Sequence, residues 1–176
     1  GLRGFSHRLR GFVAAGSSFA AFVCVLLASG RVFREGSVTW TFEWFPEIGI
    51  ALQFYADPLS IMFALLISGI GVLICLYAIG YLHEERIDVL FWFSLQLFMG
   101  AMLGLVISGD FIVLMVFWEL TSISSFLLIG INYWDDEARR SALNALFVTA
   151  GGGLCLLAGF LMLAAEVGTF SIPYIL

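Results

Sequence analysis

Hydrophobic residues fall into long runs separated by short polar segments. An α-helix rises about 1.5 Å per residue, so about 20 apolar residues cross the hydrocarbon layer of a bilayer, which is about 30 Å thick. The pattern therefore predicts an all-α integral membrane protein with about five transmembrane helices. The runs of sufficient length cover approximately residues 11–29, 58–81, 89–107, 111–132 and 141–165.

Between the first two runs the pattern changes to a period of two. Apolar and polar residues alternate over residues 38–44 and again over 50–55, and Pro46 and Gly49 lie between the two stretches as a turn signal. Such alternation is typical of strands. We therefore predict a short β-hairpin over about residues 38–55, outside the bilayer.

The second run begins with a helix-start signal. Asp57 precedes Pro58, and proline is favoured at the first helical position because it has no N–H to leave unpaired. We interpret Asp57 as a helix cap. The first run has a competing interpretation, because its arginine-rich start and the small residues at 28–30 also fit a signal peptide.

Composition supports the membrane assignment and limits the partners. Of 176 residues, 61% are hydrophobic and 12% are charged, and the mean hydropathy is +1.04, outside the range of soluble domains. Eight arginines and thirteen acidic residues give a net charge of −5, and there is no lysine. We expect contact with lipid and no nucleic-acid partner, because no basic surface is indicated.

The arginines predict an orientation in the cell membrane. Cytoplasmic loops carry an excess of arginine and lysine, and Trp and Tyr collect at the membrane surfaces. The hairpin and the turn at residues 108–110 are therefore predicted to be extracytoplasmic, with Arg31 and Arg34 on that side. The cytoplasmic side would hold Arg3, Arg8, Arg10, Arg86, Arg139 and Arg140, with Tyr81, Trp92, Tyr133 and Trp134 at its interface.

Neither cysteines nor histidines indicate a metal or cofactor site. The three cysteines lie in separate apolar runs without metal-ligand spacing, and we interpret them as small hydrophobic residues. The two histidines lie in predicted loops, and only Glu84 and Glu85 are near one of them. The residues concerned are Cys24, Cys75, Cys155, His7 and His83.

One acidic residue lies inside an apolar run. Glu119 is nine residues beyond Asp110, hence about 13 Å deep and close to the bilayer midplane. Keeping a glutamic acid protonated at pH 7 costs about 3.7 kcal/mol, less than stripping an unpaired carboxylate of water. We expect Glu119 to be neutral, paired or hydrated, and each of these states serves proton transfer.

Polar and small residues surround this glutamate in sequence. Helical spacing places Ser122 on the Glu119 face, where it is a candidate to support the carboxylate or bind water, although hydroxyls on membrane helices more often serve packing or helix-to-helix hydrogen bonds. In the last run, Gly152 and Gly159 share a face and predict close helix packing.

Three segments together resemble a known family. Residues 57–60 (DPLS), 98–103 (FMGAML) and especially 118–130 (WELTSISSFLLIG) are similar to the large, A-type subunit of Mrp-type multisubunit Na⁺/H⁺ antiporters, which is homologous to the proton-pumping subunits of complex I. The resemblance extends from about Trp40 to the last residue. It implies one antiporter-like transmembrane domain, of which this chain is expected to be a fragment holding roughly the second to sixth helices.

The resemblance also implies roles and partners. The glutamate of the family's Trp-Glu motif, here Glu119, is expected to relay protons and to pair with a lysine on a later helix outside this chain. The implied partners are the other antiporter subunits together with the missing remainder of the same polypeptide, and the implied transported ions are H⁺ and Na⁺. No cofactor is implied.

The sequence leaves two alternatives open. The chain could be a proton-pumping subunit of complex I or of a membrane-bound hydrogenase, or a structural scaffold in which Glu119 is only hydrogen-bonded. Relatives in respiratory complexes tend to carry an arginine and an acid after the Val-Thr pair of the sixth helix. Here Val148-Thr149 is followed by Ala150 and three glycines, which favours the antiporter branch, and therefore part of a transporter instead of an enzyme.

Overall fold

The computed structural model describes residues 2–45, 50–81 and 88–175. The predicted turn at Pro46 and Gly49 and the predicted loop around His83 and Arg86 lie outside these ranges. Within them the chain forms five long helices, two strands and one short helix, namely α1 (Leu2–Glu35), β1 (Val38–Phe45), β2 (Ile50–Ala56), α2 (Pro58–Tyr81), α3 (Asp88–Val106), α4 (Phe111–Ile129), α5 (Asp136–Val167) and α6 (Ile172–Ile175).

The predicted fold class is confirmed. In the described part of the chain, five helices are long and apolar enough to cross a membrane, and a hairpin lies between the first two. α1 and α5 are longer than the apolar runs that predicted them, with 34 and 32 residues. The reason at α5 is local: Asp135 accepts a hydrogen bond from the Glu137 N–H and starts the helix in polar sequence, before the apolar run begins.

The two strands pair antiparallel, as the alternation predicted. Val38 lies opposite Ala56 and Trp40 opposite Phe54. Asp57 caps α2 by accepting a 2.7 Å hydrogen bond from the Ser60 N–H, which confirms its interpretation as a cap. The side of the membrane on which the hairpin lies stays a prediction.

The hairpin is fixed to the turn between α3 and α4. Backbone hydrogen bonds of 2.8 Å run from the Tyr55 N–H to the Ile107 carbonyl and from the Gly109 N–H to the Gln53 carbonyl. On the other side of the same turn, the Ile172 N–H donates to the Gly109 carbonyl at 2.8 Å. The start of α4 is therefore held between the hairpin and the segment that follows α5.

α1, α2 and α3 pack around a small core. Trp92 is only 5% exposed and lies in this core with Ala14, Cys75 and Ala78. Trp92 is thus buried between three helices, a contact that the sequence did not indicate, and its position at the membrane interface stays a prediction. The other predicted anchors, including Tyr81, expose more than half of their surface.

Polar groups at the contacts of the same three helices were not expected from the sequence: Ser18 and Cys75 are buried, and Gln96 is half-buried. Gln96 of α3 donates to the Ala14 carbonyl at 3.2 Å and to the Ser17 hydroxyl, and Ser18 donates to the Gln96 Oε1 at 3.0 Å. Cys75 was predicted to be a small hydrophobic residue, yet its Sγ lies 3.5 Å from the Ser18 Oγ. The amide of Gln96 inside an apolar run could have indicated these hydrogen bonds, because an amide in lipid needs hydrogen-bond partners.

Candidate functional site

Glu119 lies in the middle of α4 because of where that helix starts. Asp110 has extended backbone angles and accepts hydrogen bonds from the Ile112 N–H (2.7 Å) and the Val113 N–H (3.4 Å), so the helix begins at Phe111. α4 has 19 residues, and Glu119 is the ninth. A helix of this length crosses about 28 Å, which places the carboxylate near its centre.

α4 and α5 are antiparallel neighbours with a constant register. Near one end, a Cβ built on Gly130 would lie 3.2 Å from the Ala142 Cβ. Near the other end, the rings of Phe111 and Phe160 stack at 4.3 Å. Glu119 lies eleven residues before Gly130, and Gly153 lies eleven residues after Ala142. Glu119 and Gly153 are therefore at the same level along the two helices.

At that level α5 presents Gly153 to Glu119. A Cβ built on Gly153 would lie 2.6 Å from Glu119 Oε1, 3.2 Å from Trp118 Nε1 and 3.3 Å from Trp118 Cδ1. Gly153 is buried, whereas Gly151 and Gly152 are exposed and have nothing within 4 Å of a built Cβ. The carboxylate and the indole N–H therefore border one backbone position of the neighbouring helix.

The prediction of close packing at Gly152 and Gly159 is wrong for the described part of the chain. A Cβ at either position would meet nothing within 4 Å. Because of the way α5 is rotated against α4, Gly153 contacts Glu119 and Trp118 instead. The glycine cluster in sequence indicated the right helix, but the rotation of that helix depends on end contacts that no sequence periodicity reveals.

The Glu119 side chain is only partly covered. Within residues 2–45, 50–81 and 88–175, its carboxylate forms no ion pair and accepts no hydrogen bond. The described arginine ion pairs lie elsewhere, such as Arg31 with Glu35 at 3.0 Å in an exposed position. Pairing of Glu119 with a lysine outside this chain stays a prediction.

Trp118 contributes a second polar atom that was not singled out from the sequence. Its Nε1 is buried and has no hydrogen-bond partner among the described residues. A buried N–H without a partner costs about 1–3 kcal/mol. The sequence places Trp118 directly before Glu119, so a polar atom near the carboxylate could have been considered. The direction in which the indole points, however, depends on the neighbouring helix.

The hydroxyl groups of α4 bond to their own helix. Ser122 is buried and donates to the Trp118 carbonyl at 3.2 Å, and Thr121 donates to the same carbonyl at 2.7 Å. Ser124 donates to the Leu120 carbonyl at 2.7 Å. The alternative of helix-to-helix hydrogen bonds therefore does not hold for these three groups within the described residues, and a supporting role of Ser122 for Glu119 stays a prediction.

Two family models of known proteins match the chain. The model of the N-terminal part of chain 5 of NADH-ubiquinone oxidoreductase (complex I) matches residues 44–90. The model of the transmembrane domain of NADH:quinone oxidoreductase and Mrp antiporters matches residues 108–176, which include Glu119 and Gly153. Together they cover more than half of the chain. The chain belongs to this Mrp antiporter and complex I family.

Individual relatives place the chain near one branch of the family. It is 43% identical over 157 residues to the A1 subunit of the Na(+)/H(+) antiporter of Staphylococcus aureus, a match that covers 88% of this chain and 19% of the relative. The resemblance to the A-type subunit of Mrp antiporters is thereby confirmed. The chain spans about a fifth of the length of the curated relatives it matches.

Solved structures agree on the fold. A chain of the Mrp complex from a Dietzia species is 27% identical with a TM-score of 0.71, and the match covers 94% of this chain and 20% of that one. A chain of respiratory complex I from Thermus thermophilus is 18% identical with a TM-score of 0.60, covering 97% and 36%. At that identity the second similarity concerns the fold alone.

Proposed function

We propose that this chain forms a proton-carrying part of the membrane module of a multisubunit Na⁺/H⁺ antiporter. The observation that carries the proposal is Glu119, a partly covered carboxylate at the centre of a membrane-length helix, without a partner among the described residues. A group that must exchange protons cannot be locked permanently in an ion pair, and it has to be reachable by water or by another carrier.

The family membership supports the choice of reaction. A relative named as part of a Na(+)/H(+) antiporter is 43% identical over most of this chain. Glu119 would accept a proton from one side of the membrane and release it when a cation arrives nearby, because an approaching positive charge favours the ionised carboxylate. The counter-charge would come from the rest of the polypeptide or from a neighbouring subunit.

The test is Glu119→Gln in the complete antiporter complex. Everted membrane vesicles are acidified by respiration, and the recovery of a ΔpH-sensitive dye after NaCl addition reports antiport. We expect the recovery to be lost, because an amide cannot exchange a proton. The matched control is Glu166→Gln, which removes an exposed carboxylate near the end of α5 and should leave antiport intact.

The other two candidate functions give different results in the same vesicles. In a redox-driven pump, NaCl would produce no recovery even with the original Glu119, and proton transport would depend on an electron donor. In a structural scaffold, Glu119→Gln would retain full antiport. Immunoblotting of the complex keeps a failure of assembly separate from a failure of transport.

A further inference from the structure

Because Gly153 has no side chain, the Glu119 carboxylate can occupy the space next to its backbone. A Cβ at residue 153 would lie 2.6 Å from Glu119 Oε1, a separation that non-bonded atoms do not adopt. Any side chain at residue 153 would therefore move the carboxylate. The two neighbouring glycines, Gly151 and Gly152, have no such contact, although they share the helix and the sequence context.

α5 cannot easily move away to make room. Contacts on both sides of this level hold it against α4: the Gly130 backbone lies next to Ala142, and the rings of Phe111 and Phe160 stack. Packed interiors tolerate displacement poorly, because every shift loses contacts elsewhere. The Glu119 side chain, with its rotatable bonds, is the part that has to give way.

The Trp118 indole borders the same space. Its Nε1 lies 3.2 Å from the built Cβ of Gly153, is buried, and has no partner among the described residues. An unpartnered donor and an unpartnered acceptor thus lie side by side at one backbone position of α5. A hydrogen bond from a neutral donor to an ionised carboxylate is worth more than one between neutral groups.

We propose that Gly153 and Trp118 are positioning residues for Glu119: the missing side chain of Gly153 admits the carboxylate, and the Trp118 Nε1–H donates to it when it is ionised. This inference rests on the proposed function of Glu119. It assigns the ionised carboxylate a defined place between α4 and α5, from which a small rotation of the side chain releases it.

The first experiment compares Gly153→Ala with Gly152→Ala in the complete complex. Both substitutions raise helix propensity equally, but only the first crowds the carboxylate. We expect Gly153→Ala to lower the antiport rate about tenfold and to shift its pH profile, with Gly152→Ala close to the original protein. A tenfold change corresponds to about 1.4 kcal/mol. Equal behaviour of the two variants overturns the role of Gly153.

A compensating change separates crowding from general damage. Glu119→Asp shortens the side chain by one methylene, so it should impair antiport alone but restore part of the activity of Gly153→Ala. Coupling of this kind between two residues in contact is what a double-mutant cycle measures. Additive losses in the double variant would contradict the crowding account.

The indole is tested by Trp118→Phe, which keeps an aromatic ring and removes the N–H. We expect a shifted pH profile of antiport, whereas Trp40→Phe, at an exposed position in β1, should leave it unchanged. An unshifted profile in Trp118→Phe overturns the hydrogen bond. If Glu119→Gln retains antiport, the proposed function itself fails. If Glu119→Gln abolishes antiport but these variants behave normally, only the positioning role fails.

Discussion

Gln96 offers a quantitative test of how α1, α2 and α3 hold together. Replacing it with leucine keeps a similar volume and removes the side-chain amide. Three hydrogen bonds disappear: those to the Ala14 carbonyl and the Ser17 hydroxyl, and the one received from Ser18. Measured hydrogen bonds between membrane helices average about 0.6 kcal/mol each. The expected cost is therefore about 2 kcal/mol.

Cys75 reports this loss directly. Its side chain is fully buried beside Ser18, so it reacts with a maleimide only when the three helices open. When closing is faster than labelling, the labelling rate follows the opening equilibrium. A cost of about 2 kcal/mol should then raise the rate about 30-fold.

The labelling is read at the Cys75 peptide by mass spectrometry, so the exposed Cys24 and Cys155 do not interfere. Asn144→Leu is the control, because it removes an amide from an exposed position of α5. We expect it to label at the original rate. A labelling rate of Gln96→Leu no higher than that of Asn144→Leu would refute the expected cost, since the half-buried Gln96 amide would then contribute nothing to helix association.

Two further predictions concern the packing and the start of α4. A Cβ on Gly104 would lie 2.2 Å from the Phe117 ring, so Gly104→Ala should lower thermal stability by about 1–3 kcal/mol, whereas Gly100→Ala, with nothing within 4 Å, should be neutral or stabilising. Burial raises the pKa of the Asp110 carboxyl, an effect that the hydrogen bonds from two backbone N–H groups partly oppose. The folded state therefore binds this proton more tightly than the unfolded state, and stability should fall as the pH rises from the ordinary value of 3.8 to the raised pKa. In thermal unfolding experiments, the stability of Asp110→Asn should not fall over this pH range. If the variant and the original protein show the same pH dependence, the assignment of this effect to Asp110 is contradicted.

The fold was largely predictable because each helix carries its own signal. Crossing a bilayer requires about 20 apolar residues, and that requirement is visible in any single run. The hairpin was equally visible as a change of period. Asp57 and its proline marked the start of α2, and the structure shows the expected hydrogen bond to Ser60.

Contacts between helices were not predictable in the same way. Gly153 instead of Gly152 meets Glu119, and the Trp92 ring is buried between three helices. Both depend on the rotation of one helix against another, which is set by distant contacts such as the stacked Phe111 and Phe160 rings. In a run that is apolar on all sides, hydrophobic periodicity carries little information about that rotation.

The candidate site was predictable in its acidic residue but not in its surroundings. A carboxylate in an apolar run is conspicuous, so Glu119 could be found without a structure. The indole of Trp118 and the backbone of Gly153 are chemically ordinary in sequence and matter only because α5 brings them to the same level of α4.

The role of Glu119 as a proton carrier is tested most directly with the purified complete complex in proteoliposomes. An outward-directed proton gradient drives uptake of radioactive sodium, and the rate is compared between the original protein and Glu119→Gln at equal protein content. We predict sodium uptake by the original protein and uptake at the level of empty liposomes for Glu119→Gln. Uptake by Glu119→Gln at the original rate would contradict the claim that this carboxylate carries the proton.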